Sequence, residues 1–209
     1  SWEEFCNENA KSLGVQFFSY KLSELQDPSE DDLRKIRYEK FKEWANDEDL
    51  ILTAHHKDDQ VETILFRFLR GTGLNGLKGI PAWRKDKYIS FHRPLLGFSK
   101  KQLRQYAETN ELKWVEDESN KDTSISRNFI RNNLVPKIKE KWPNVEKSIL
   151  HLSSEATKSN NILRSVAKED LEKISSKKNY YDLNKYLALP SERADNLLYF
   201  LINYELDLE

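Results

Sequence analysis

Apolar residues recur at Trp2, Phe5, Ala10 and Leu13, close to one face of a helix over residues 2–13, and Gly14 is placed to end it. The run "VQFFSY" at 15–20 has the composition of a strand. A second stripe, Leu33, Ile36, Phe41, Trp44 and Ala45, runs through "DDLRKIRYEKFKEWAN", with acids ahead of it that complement a helix dipole. "DLILTA" then predicts a short buried strand, and residues 58–70 a third helix. Helices alternating with strands imply right-handed crossovers and parallel pairing. The expected fold class is α/β: a parallel Rossmann-like sheet with flanking helices, followed by a helical region.

Further along, "KYISFHRPLL" predicts a strand ended by Pro94, and "SKKQLRQYAETN" a short helix with Ser99 as N-cap. "LKWVEDESNKDTS" is a polar loop in which Asp117, Ser119 and Asn120 suit Asx-type turns. "SRNFIRNNLVPKI" begins another helix, interrupted near Pro136. From about Val145 helical patterns dominate. The expected organisation is a catalytic-type domain over 1–144 and a helical accessory region over 145–209.

Composition narrows this picture. The chain has 209 residues, 38% hydrophobic and 33% charged, enough to bury a core. Its single Cys6 excludes an intramolecular disulfide and a cysteine-cluster metal site. No apolar window reaches membrane-spanning length and the start lacks a signal-peptide pattern, so a cytoplasmic setting is expected. The net charge of −1 hides an asymmetry. Residues 1–62 carry 16 acids and 8 bases, 63–145 carry 8 and 17, and 146–209 carry 11 and 9. A basic middle third suits a polyanion, and a solvated surface fits it equally well.

The densest chemistry lies in "ILTAHHKDDQVETILFRFLRGTG", residues 51–73. Ligands of open parallel sheets sit beyond the carboxyl ends of strands, where His55 and His56 fall. Helix capping by Asp59, with Glu62 completing a capping box, explains two of these residues. It leaves the paired histidines and Asp58 unexplained. A closed metal cage is disfavoured because neighbouring residues at such a turn point apart, and His92 and His151 stand alone. "GTGLNG" at 71–76 matches G-x-G-x-x-G, yet it follows a helix where a dinucleotide site needs a strand. Gly71 reads instead as a helix C-cap.

Taken in order, "LTAHHKDDQVETILFRFLRGTGLNGLKGI", "RPLL" at 93–96 and "WVEDESNKDTSISRNFIRNNLVPKI" resemble the sequence blocks of the tRNA(Ile)-lysidine synthetase family, within the N-type ATP pyrophosphatases. "EDDLRKIRYEKF" is similar to that family's E-x-x-A-R-x-x-R-Y block, with Leu33 where alanine is usual. The resemblance implies that ATP adenylates the C2 oxygen of the wobble cytidine in a CAU-anticodon tRNA(Ile), and that the ε-amine of free lysine displaces AMP. It implies a cytoplasmic, bacterial-type setting and leaves a homodimer open.

Under that resemblance, Asp59, Glu62 and His55 hold lysine and handle its proton, because a cationic amine needs carboxylates to bind and a base before it attacks. Arg127 joins them as a catalytic candidate. Arg34, Arg37, His56 and Asp58 are assigned to ATP, whose phosphates carry Mg²⁺ with little help from protein. Arg131, Arg70 and Asn128 are assigned to RNA, and no residue is assigned as a metal ligand. Arg127 and Arg131, four apart, share a face of a regular helix, where pairing with nearby acids is the competing use.

One departure matters. The family's S-G-G-x-D-S phosphate loop is absent from these residues, and so is methionine. A truncated form, inactive alone, is the expectation. The rival functions are a metal-dependent phosphohydrolase and a noncatalytic tRNA-binding module; a tRNA thiolation enzyme would want paired cysteines.

Overall fold

The computed structural model describes residues 1–20, 30–46, 48–85, 89–177 and 180–205. In chain order the elements are α1 (Trp2–Ser12), α2 (Glu30–Trp44), β1 (Leu50–Leu52), α3 (Lys57–Leu69), α4 (Leu74–Leu77), β2 (Trp83–Lys85), β3 (Ser90–His92), α5 (Lys100–Thr109), α6 (Ser126–Phe129), α7 (Val135–Lys141), α8 (Val145–Ile174), β4 (Ser175–Lys177), β5 (Tyr180–Tyr181), α9 (Leu183–Leu187) and α10 (Ser191–Phe200). The chain divides into two compact units, residues 1–60 with 80–136, and residues 61–79 with 137–209. This partition cuts α3 and gives 61–79 to the second unit, and so differs from a boundary at 144/145.

The first unit is built on a sheet ordered β1-β3-β2. β1 runs parallel to β3, with Ile51 opposite Phe91, whereas β2 runs antiparallel to it, with Trp83 opposite His92. The sheet is therefore small and mixed, which corrects the expected parallel sheet. β2 escaped prediction because Trp83, Arg84 and Lys85 are all exposed and show no alternation. Its anchor is Trp83, stacked on the His92 ring at 3.9 Å. Phe91, fully buried at the centre, packs against Tyr38 and Phe41 of α2, with ring centroids 5.0 and 6.2 Å away. That aromatic group docks α2 on the sheet.

Two strand expectations fail for one reason: a strand exists and is buried only through its neighbours. Residues 15–20 form no ladder with any described residue. Leu50 and Leu52, expected inside, are 47% and 62% exposed, because β1 is an edge of the described sheet. α1 forms where expected, with a Ser1/Glu4 capping box and Gly14 in the left-handed region, φ 67°. Of its stripe only Ala10 is buried. α5 starts as expected at Ser99, whose hydroxyl accepts from Gln102 N while the Gln102 side chain accepts from Ser99 N. The helix expected to break near Pro136 does so through a π-helical turn, Ile130–Leu134, between α6 and α7. Proline lacks an N–H and crowds the carbonyl four residues back, and the wider turn relieves both.

In the second unit α3 closes at Gly71, φ 75°, whose N–H bonds the Phe68 carbonyl at 3.0 Å. Arg67 then pins the glycine loop by donating to the carbonyls of Gly76 and Gly79 at 3.0 and 2.9 Å. A Cβ at Gly76 would lie 1.9 Å from Thr72 Oγ1, so any larger residue there forces Thr72 to shift. α8, 30 residues long, packs with α10 around Ala167, Ile174, Leu197, Phe200 and Leu201. Beside this core Asp170 is fully buried and takes two bonds from Arg193, Nε to Oδ2 at 2.7 Å and Nη2 to Oδ1 at 2.6 Å. The Arg193 hydrogen bonds hold the Asp170 carboxyl below the usual carboxylate range.

A depressed folded-state pKa contributes stability that is present above the unfolded value and lost as pH falls through the folded one. Urea unfolding should accordingly show a stability loss below about pH 4 that D170N lacks. At pH 7 R193A, which strands a buried carboxylate, is expected to cost about 3 kcal/mol, the low end of the usual range because Arg193 is itself 38% exposed.

Candidate functional site

The site lies where the chain leaves β1 and enters α3. Thr53 N extends the β1–β3 pairing by donating to His92 O at 3.0 Å, and the backbone then turns so that Lys57 N bonds Phe98 O at 2.8 Å. His55 and His56 thus stand beyond the carboxyl end of β1, as the sequence places them.

α3 begins earlier than the capping scheme Asp59/Glu62 supposes. Its N-cap is His56, whose backbone N–H donates to Asp59 Oδ2 at 2.8 Å while Asp59 N donates back to the His56 ring Nδ1 at 3.4 Å. This is a capping box with an imidazole in place of a hydroxyl. The other Asp59 oxygen, Oδ1, accepts from Arg131 Nη2 at 3.3 Å, and Arg131 Nη1 donates to Asn120 Oδ1 at 3.2 Å. Arg131, assigned to RNA from the sequence, is here the tie between α3's first turn and the 117–122 loop. Asp59 and Arg131 are 16% and 23% exposed, so each charge is partly desolvated and held by the other.

Asp58 Oδ2 accepts from Lys100 N at 2.8 Å, at the first turn of α5, and lies 3.7 Å from His56 Nδ1. Gln60 clamps residue 80 through both its amide atoms, at 2.5 and 2.7 Å. Asn128 is buried, and its amide donates to the carbonyls of Ser119 and Asp122, both at 2.9 Å. Asp117 Oδ1 accepts from Ser119 N at 2.9 Å, the Asx turn expected there. Asn128 therefore braces the loop from inside.

His55 is half-buried, with its Nδ1 2.9 Å from Thr53 Oγ1. Burial does most to lower its pKa below the ordinary histidine value; Asp59 opposes this, and the charges of Arg93, Arg127 and Arg34 add to the lowering. The structure thus brings Asp59, Arg93, Arg127 and Arg34 within electrostatic reach of His55. Arg37, on the same helix as Arg34, is exposed. Glu62 follows Asp59 by three residues along α3 and is 3% exposed. Arg70 lies in the second unit, its guanidinium 5.2 Å from the Phe66 ring centroid.

The residue the sequence reading passed over is Arg93, the first of "RPLL". It is 3% exposed and donates from Nη1 to Pro81 O at 2.8 Å and from Nη2 to Tyr38 Oη at 3.3 Å. Its Nε has no hydrogen-bond partner among the described residues. Tyr38 in turn lies under the guanidinium groups of Arg34 and Arg84, 5.7 and 5.4 Å from its ring centroid. The only sequence signal was the arginine preceding a proline at a strand end.

Chemically, this arrangement offers a neutral imidazole, a carboxylate held by an arginine and a backbone N–H, and further arginines suited to phosphoryl oxygens. Among the described residues no group of three or more His, Cys, Asp or Glu is placed to hold a metal ion.

The PP-loop domain model matches residues 1–138. The chain is 37% identical over 172 residues to the tRNA(Ile)-lysidine synthase of Pseudomonas syringae pv. tomato, covering 82% of this chain and 39% of that protein. The synthase of the same name from Coxiella burnetii is 34% identical over 94% of this chain and 44% of its own length. The one from Legionella pneumophila strain Lens is 31% identical over 96% and 47%. The chain spans less than half the length of each of these relatives. A PP-loop match over well over half of the residues, on a strand-to-helix junction that collects a histidine, a carboxylate and arginines, places this chain in the PP-loop domain family.

Proposed function

We propose that the chain is the lysine-handling part of a tRNA(Ile)-lysidine synthase, working in the bacterial cytoplasm on a CAU-anticodon tRNA. The observation that supports this best is Asp59, fixed by His56 N–H and Arg131 next to a half-buried His55, in a chain similar to enzymes bearing that name. Asp59 supplies negative charge for a lysine ammonium. His55, kept neutral by burial, accepts a proton from that ammonium and so frees the ε-nitrogen lone pair. Arg127 and Arg34 neutralise phosphoryl oxygens, while His56 and Asp58 hold the helix start against α5.

The cosubstrate ATP activates the cytidine C2 oxygen as an adenylate: that oxygen bonds to the α-phosphorus and pyrophosphate leaves. The lysine nitrogen then bonds to C2, the C2–O bond breaks, and AMP departs with that oxygen. The proton ends on His55. These residues contain no S-G-G-x-D-S loop, so ATP affinity in this scheme depends on a segment beyond them.

Joining this chain to a relative's segment bearing S-G-G-x-D-S, and supplying ATP, lysine and CAU-anticodon tRNA, should yield lysidine and AMP, with no product from the 209 residues alone. Unmodified tRNA in the joined form removes the proposal. tRNA binding without turnover leaves a binding module, and metal-dependent phosphate release without tRNA leaves a phosphohydrolase.

In that assay D59N should lower kcat/KM for lysine by about 10²–10³-fold, measured against lysine concentration. R131A, which unties the 117–122 loop from Asp59, should lower turnover and cost about 1.5–3 kcal/mol in unfolding free energy. The acid limb of the rate profile should fall below about pH 6.5, since His55 stays neutral further down than an ordinary histidine. H55Q should remove that limb and slow the reaction about 10²–10⁴-fold.

A further inference from the structure

Residues 63–85 contain no aspartate or glutamate, and neither do residues 156–168. Within the second unit parts of these two acid-free runs meet. α4 packs on α8, and Lys78, directly after α4, donates from Nζ to Asn160 Oδ1 at 3.2 Å. Asn160 is 6% exposed, so the lysine is anchored by a buried neutral amide. Arg164 stands one turn beyond Asn160 on the same face of α8, its guanidinium 4.4 Å from the Tyr204 ring centroid. Arg67 fixes the loop by holding the carbonyls of Gly76 and Gly79, which flank Lys78.

Burial lowers the Lys78 pKa below the ordinary lysine value, and the nearby charges of Arg164 and Arg67 lower it further. Among the described residues neither Lys78 nor Arg164 has a carboxylate partner. Gathering like charges opposes folding, and a bound polyanion relieves it. An arginine beside an aromatic ring also suits nucleic acid, whose bases stack on both kinds of group.

We propose that Lys78 and Arg164, on a loop set by Arg67, form an RNA-backbone contact on α8 that takes successive phosphates of the tRNA. This rests on the reading above that tRNA is the substrate, and it adds a point of grip within the second unit.

The test is titration of unmodified CAU-anticodon tRNA with the 209-residue chain at several salt concentrations. Combined K78Q and R164Q should raise Kd about tenfold and reduce the slope of log Kd against log salt by about 1–2. K147Q, on an exposed part of α8 next to Glu146, should bind as the unaltered chain does. The charge-keeping pair K78R and R164K should retain affinity, which separates lost charge from a disturbed fold. Unchanged Kd and slope in the glutamine pair overturn the contact, and so does equal weakening by K147Q or by the charge-keeping pair. Loss of polyglutamate binding with tRNA binding intact assigns the patch to an acidic protein and overturns the RNA assignment. An unaltered chain that binds no tRNA removes the tRNA reading and the contact together; unchanged tRNA binding by the glutamine pair removes the contact alone.

Discussion

Asp59 is held from two directions, by the backbone N–H at the start of its own helix and by a guanidinium from 72 residues further along the chain. A carboxylate in that position is costly to desolvate unless both oxygens are occupied, and the two donors come from segments with no other reason to meet. One ionised group thus links the first turn of α3 to Arg131 and, through it, to the loop before α6, while Thr53 and Lys57 N–H bonds hold the strand exit. The site's geometry follows from that requirement. His55 feels Asp59, Arg93, Arg127 and Arg34, with Arg34 brought in by the aromatic docking of α2 on Phe91.

A comparison within the same chain shows what this does and does not imply. Asp170 is more deeply buried than Asp59 and has shorter bonds to its arginine. It sits on α8 between Ala167 and Ile174, two residues of the α8–α10 core. It closes a helical packing, and its charged neighbours are the Arg193 guanidinium and the Lys173 ammonium, 3.6 Å from Oδ1. Asp59 differs in its company: an imidazole whose charge burial opposes, and arginines suited to phosphate. Function is read from the group of residues, and a carboxylate–guanidinium pair alone is structural by default.

Much of the fold was legible where local rules decide it. α3 and α5 appear close to their expected limits because amphipathic spacing, Ser99 and Gly71 act within a few residues. The Asx turn at Asp117 is of the same kind. The strands were less legible: whether 15–20 pairs, or Leu50 is covered, depends on neighbours that no local pattern names. At the site, His55 and Asp59 could be singled out from their place after a strand. Arg93 could not, because its role comes from the pairing of β2 and β3 and from Tyr38, 55 residues away. Arg131 and Asn128 were seen as surface groups for RNA because a helix taken as regular hides which side chains turn inward toward a loop.

The bare flank of β1 has a practical meaning for anyone handling this polypeptide. Leu50 and Leu52 project on one side of a strand whose outer ladder edge meets no described residue, and an uncovered edge bearing leucines is a template for another copy. Colloidal behaviour, more than chemistry, then sets the concentration at which these 209 residues can be kept in solution. Dilute samples, or a lysine placed at 50 or 52 to blunt the edge, follow from that geometry.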